Sequence, residues 1–152
     1  MKLIIKVPLL PFFFCFLLLV GCSQPEQQNI FQKYSAEDFE NTLLNLDISI
    51  SEHNYRIIHR STIGQAIRDR GEPDFPLSTI TEFCNITYAQ EMMLINPDLI
   101  NDMPCYIAVR ETEQGVLVST KLMNENSNDI EQVQFAQRIN QNLREIVNES
   151  TE

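Results

Sequence analysis

Hydrophobic positions along the chain change period several times, and each change marks an element. Phe39, Leu43, Leu46 and Ile50 recur at i, i+4, i+7 and i+11. That spacing predicts one buried helical stripe over residues 35 to about 51, with Ser35 and Asp38 at capping-box spacing at its start. Residues 30–34 read as a short strand ahead of it. Residues 55–60 alternate bulky side chains and read as a second strand. Residues 63–70 fit a short helix that Gly71 ends; Glu72-Pro73-Asp74-Phe75-Pro76 must turn, and residues 77–84 are a third strand. Between residues 85 and 101, Ile86, Ala89, Met92 and Met93 fit a helix that Pro97 interrupts. Residues 103–110 and 116–122 alternate as strands around a turn at Glu113-Gln114-Gly115, which predicts a hairpin. Asn128 or Asp129 then caps a last helix with an apolar seam of Ile130, Val133, Ala136, Ile139, Leu143 and Ile146.

The resulting order, β-α-β-(α)-β-α-β-β-α, has its one tight hairpin near the end. It predicts a single α+β domain over residues 30–149, a mainly antiparallel sheet with helices packed on one face.

The first 21 residues follow a different rule. Residues 3–20 read LIIKVPLLPFFFCFLLLV, and the uninterrupted apolar core, residues 12–20, is nine residues long. As helix that is about 13 Å against a bilayer core of about 30 Å, too short to span and right for an export signal. The core ends in Leu19-Val20-Gly21-Cys22, which resembles the bacterial lipobox. The resemblance implies that residues 1–21 are a cleaved signal peptide and that Cys22 carries lipid, palmitate among the acyl groups. Ser23 in place of Asp favours transfer to the outer membrane, facing the periplasm. Residues 23–29, SQPEQQN, hold no apolar side chain and complete a lipidated tether over residues 22–29.

Charge narrows the partners. Of eleven Lys and Arg, Lys2 and Lys6 lie in the signal, so nine basic residues face twenty-one acidic ones beyond it, a net of −12. Such a surface repels phosphate backbones and argues against nucleic acid. It also argues against lying flat on anionic headgroups, so the membrane is a partner only through the lipid.

Further residues carry a family resemblance: Asn54-Tyr55-Arg56-Ile57, then Ile63-Gly64-Gln65-Ala66-Ile67-Arg68-Asp69-Arg70-Gly71, Phe83-Cys84-Asn85, Pro97, and Met103-Pro104-Cys105-Tyr106-Ile107-Ala108-Val109. Together they resemble domain-of-unknown-function family 302 over about residues 30–147. The resemblance implies a small α+β domain similar to the TATA-box-binding-protein-like fold, often a homodimer, with no assigned reaction.

The candidate chemistry is mostly sulfur. With Cys15 in the signal and Cys22 lipidated, the domain keeps Cys84 and Cys105, and an exported pair suggests a disulfide. If the third and fourth strands are antiparallel neighbours, the two cysteines meet at one end, and the loop they close would contribute roughly 3 kcal/mol. The alternatives are two separate buried thiols, a redox dithiol, or a soft-metal site. Cys84, Met92, Met93, Met103 and Cys105 place five sulfur atoms within 22 residues, and thiolate and thioether ligands suit Cu(I). Arg56, Arg60 and Arg68 concentrate positive charge and could bind an anion, although Asp69 and Glu72 stand beside them. Of the two histidines, His53 and His59, the latter follows Tyr55 and Ile57 at strand spacing and reads as a half-buried or edge residue. No haem-attachment, zinc-protease, phosphate-loop or nucleophile-elbow motif occurs. The expectation is a lipid-anchored envelope protein that binds or scaffolds rather than catalyses, with a thiol-redox or copper-handling role as the alternative.

Overall fold

The computed structural model describes residues 29–152. Five strands, β1 (Ile30–Tyr34), β2 (Arg56–Ser61), β3 (Ser78–Cys84), β4 (Cys105–Thr112) and β5 (Gly115–Lys121), form one sheet in the order β1-β5-β4-β3-β2. Every neighbouring pair is antiparallel. The helices are α1 (Phe39–Glu52), α2 (Ile63–Arg68), α3 (Ile86–Ile95) and α4 (Ile130–Glu149), with a 3-10 turn at Pro97–Asp102 after α3. The α+β class expected from the sequence is thus the one observed.

One face of the sheet makes the core. Thr79, Thr81 and Phe83 of β3 stand opposite Val109, Ile107 and Cys105 of β4, and Val118 and Thr120 of β5 continue the row. Leu46 and Ile50 from α1, with Phe135, Ile139, Leu143 and Ile146 from α4, close over this face. Burial of that apolar surface is the main stabilising contribution. The apolar seam read in α4 covers the sheet as expected, except that Ile130 at its start is exposed.

Two caps differ from the sequence reading or refine it, and two turns agree with it. The α1 N-cap is Asp38, whose carboxylate accepts the backbone N–H of Asn41 at 2.9 Å. Ser35 lies three residues ahead of that cap: its Oγ accepts the Glu37 N–H at 3.1 Å, and its own N–H extends the β1 pairing to the carbonyl of Val116 at 2.8 Å. For α4 the cap is Asp129 rather than Asn128, its carboxylate accepting from Glu131 and Gln132. Gly71 and Gly115 have φ of 110° and 119°, a backbone region that glycine enters without steric cost. Both lie at turns the sequence had marked.

Near the C-terminal ends of α1 and α4, Ser49 donates to the Glu149 carboxylate and His53 pairs with the same group at 3.1 Å. The Ser49 hydrogen bond and His53 hold the Glu149 carboxyl below the usual carboxylate range. A depressed carboxyl stabilises the fold above its unfolded pKa of about 4.3, and that contribution disappears as pH falls through the lower folded value. Because the side chain is 46% exposed, the contribution is screened to under about 1 kcal/mol. Glu149→Gln is therefore expected to lower Tm by a few degrees, about 2–4 °C, at pH 7 and by progressively less as the pH is taken below the usual carboxylate range, in thermal melts across that range. An equal deficit throughout would contradict the assignment.

Candidate functional site

Three strand ends meet at one corner of the sheet. β3 finishes at Cys84, β4 starts at Cys105, and the β4–β5 register (Ile107 opposite Thr120) carries Leu122 and Met123 back beside residues 105 and 104. α3 starts immediately after β3, because the Asn85 side chain accepts the backbone N–H groups of Thr87 and Tyr88 at 2.9 and 3.2 Å. The Asn85 amide also donates to the Asn54 carbonyl at 2.9 Å, which ties this corner to the turn before β2.

Between α3, α4 and these strand ends lies a recess of about 30 Å³. Its aromatic wall is Tyr55, Phe83, Tyr88 and Phe135; Cys84, Cys105, Met92, Met103 and Met123 supply sulfur; Asp102 and Asn85 are its polar side chains. Tyr55 packs edge-on against Phe83 with centroids 5.3 Å apart, and its hydroxyl accepts from the Asn142 amide at 3.2 Å. Arg138 lies over the Tyr88 and Phe135 rings at 5.6 and 5.3 Å and pairs with Glu91 at 2.6 Å. That volume holds a water or two or a bare ion, and is roughly a tenth of the smallest cleft that takes a drug-sized ligand.

Both cysteines line the recess, but as free thiols. The strands are antiparallel neighbours, as a disulfide would need, yet Cys105 stands opposite Phe83 while Cys84 stands opposite Arg56 on the other side. Side chains alternate in direction with a period of two, so a one-residue offset turns the two Cβ vectors apart although both residues border the recess at the strand ends. The expected disulfide is corrected on that ground. Burial pushes the Cys105 thiol up to about 12, with Cys84 and Asp102 adding to the rise, and burial also raises Cys84. Protonated thiols are poor nucleophiles, so neither cysteine has the lowered pKa a redox dithiol requires. Differential alkylation with peptide mapping should find both free without reductant, with Cys84 labelled well before Cys105, which packs against the core cluster. Labelling that appears only after reductant, or Cys105 reacting before Cys84, would contradict this assignment.

Of the methionines expected to act together, Met92 and Met103 line the recess while Met93 is 39% exposed and points elsewhere. Consecutive helical residues lie 100° apart, so only one of the pair can face the sheet. Met123 takes the vacant part. Its approach was recoverable from the hairpin: closing the turn at residues 113–114 sets residue 122 opposite 105.

The arginines do not converge. Arg60 forms an ion pair with Asp47 of α1 and donates to Thr81 at 3.0 Å. Arg68 pairs with Glu111 at 3.3 Å and donates to the Phe75 carbonyl. Arg56 is exposed on the edge strand. A register shift between Ile57 and His59 reverses the facing of β2, which puts Arg60 against α1 and His59 on the far side with Ser61. The expected anion site is therefore not assembled. A shallower groove of about 300 Å³ runs between α3 and α4, past Leu94, Ile95 and the Glu91–Arg138 pair. Cys22, the residue expected to carry lipid, lies outside the described residues. Among those described, no helix is long and apolar enough to cross a membrane.

Comparison with known proteins gives a fold and no reaction. A family model described as domain of unknown function DUF302 matches residues 31–150. A crystal structure of an uncharacterized conserved DUF302 protein from Bacillus stearothermophilus is similar, with a TM-score of 0.72 at 14% identity, covering 82% of this chain and 98% of that one. No curated protein matches the sequence.

Proposed function

Since the chain belongs to the DUF302 family, a family defined without a reaction, we propose from its own residues that it is a lipid-anchored binding domain of the bacterial envelope. Cys22 supplies the anchor and the sulfur-lined recess supplies the binding element. The observation that carries this reading is the recess itself: an apolar, aromatic-walled hollow at the junction of three strand ends and two helices. Its volume selects a small species over an organic cofactor. Lipobox spacing at Cys22 and a polar tether with no basic residue favour attachment through acyl chains, and Ser23 favours the outer membrane.

Native mass spectrometry of the protein extracted from its own membrane in mild detergent tests both parts. The expected spectrum shows a polypeptide beginning at acylated Cys22, with one small species held by the folded chain and released on acid unfolding. A chain still beginning at Met1 would remove the anchor. A folded chain that carries nothing, and takes up nothing from a small-molecule extract of the envelope, would remove the recess as a binding element.

A further inference from the structure

We propose that the recess binds a single soft monovalent cation, Cu(I) in chemical class, through the thioethers of Met92, Met103 and Met123 with Cys105; this inference rests on the binding role assigned to the recess above. Residues 29–152 contain six sulfur side chains, and five of them line this one small hollow. The sixth, Met93, is next in sequence to a lining residue but lies on the exposed side of α3.

The five arrive from four separate places: Cys84 from β3, Met92 from α3, Met103 and Cys105 from the start of β4, and Met123 from beyond β5. Local sequence cannot produce that convergence; the topology does. Thioether and thiolate sulfur are soft donors that select Cu(I) over hard divalent ions. Among the described residues no group of three or more His, Cys, Asp or Glu is placed to hold a metal, so a donor set here must draw on the methionines.

Size and charge agree with a bare cation. About 30 Å³ admits an ion without its hydration shell. Asp102 is the only carboxylate lining the hollow, and the net of −12 beyond the signal draws cations toward the domain. Binding is ligand exchange with no change of oxidation state: thioethers enter neutral, and a thiol that coordinates gives its proton to solvent. The Met123 main chain is held at the recess by Asn140, which is bonded to both its N–H and its carbonyl, at 2.7 and 3.0 Å, leaving the thioether to rotate onto an ion.

The test is an anaerobic competition titration, with the detergent-extracted protein drawing Cu(I) from its bicinchoninate complex under ascorbate. One equivalent should transfer, Ag(I) should displace it, and Zn(II) should not. Met92→Leu, Met103→Leu and Met123→Leu are close to volume-conserving and should each retain the wild-type circular dichroism spectrum while weakening Cu(I) by about tenfold or more. Met93→Leu should leave the affinity unchanged. Failure to withdraw Cu(I), or wild-type affinity in the triple Leu variant, would overturn the proposal. If the native spectrum shows a different small species in a protein that rejects Cu(I), the metal assignment falls while the binding role stands.

Discussion

Asn140→Ala should lower the melting temperature by about 10 °C, the larger of the two principal stability effects expected here, from a loss of roughly 2–4 kcal/mol. Asn140 is 2% exposed in the middle of α4 and uses both ends of its amide on one peptide segment. Its Oδ1 accepts the Met123 N–H at 2.7 Å, while Nδ2 donates to the Met123 carbonyl at 3.0 Å and to Glu125 at 2.7 Å. Alanine removes all three partners at once. An unsatisfied buried backbone group costs about 1–3 kcal/mol, and here two are stranded, so the effect exceeds that of an ordinary helix-surface change. Asn140→Asp is expected to be worse, since a carboxylate cannot donate to the Met123 carbonyl and stands against Glu125. Thermal denaturation of the three proteins at pH 7 decides it. A shift in Asn140→Ala under about 2 °C would mean that the clamp is not structural. Asn140→Ala should also loosen Met123 and so weaken whatever the recess holds, which a stability effect elsewhere would not do.

The second effect runs against helix propensity. Gly64 lies inside α2, and alanine in an open helix interior ordinarily stabilises by about 0.5–1 kcal/mol. At Gly64 a Cβ would sit 2.4 Å from the Ser78 nitrogen, 2.5 Å from the Pro76 oxygen and 2.7 Å from the Leu77 Cα. All three are backbone atoms, so no rotamer change relieves the contact, and α2 must move away from the start of β3. Overpacking of this kind costs about 1–3 kcal/mol. Gly64→Ala is therefore expected to lower Tm by about 5–10 °C, measured by thermal melting. A stabilised variant would show that α2 does not pack against residues 76–78.

These two residues mark what the sequence could and could not convey. Periodicity located all five strands and four helices to within a few residues, because each amphipathic element must show its buried face to the same sheet. Boundaries shifted where a long-range bond competed with a local one: Ser35 has the spacing of a cap but is held in the strand by Val116. Nothing in the helical pattern around Gly64 signals its constraint, which comes from a segment twelve or more residues later. The recess was legible only in part. Clustering in sequence pointed to Cys84, Cys105, Met92 and Met103, yet it also drew in Met93, which the helix turns outward, and it overlooked Met123, which arrives only through the hairpin register. The disulfide expectation failed on one residue of register. The arginine cluster failed on a bulge, a feature with no composition signal at Ile57-Ile58-His59.

Labelling the methionine methyl groups with carbon-13 and adding one equivalent of Cu(I) to the detergent-solubilised protein tests the account most directly, because Met93 serves as an internal control within the same spectrum. The account predicts that the Met92, Met103 and Met123 methyl resonances move together and saturate at one equivalent while Met93 stays in place. Movement of Met93 alone, or no movement of the other three, would contradict it.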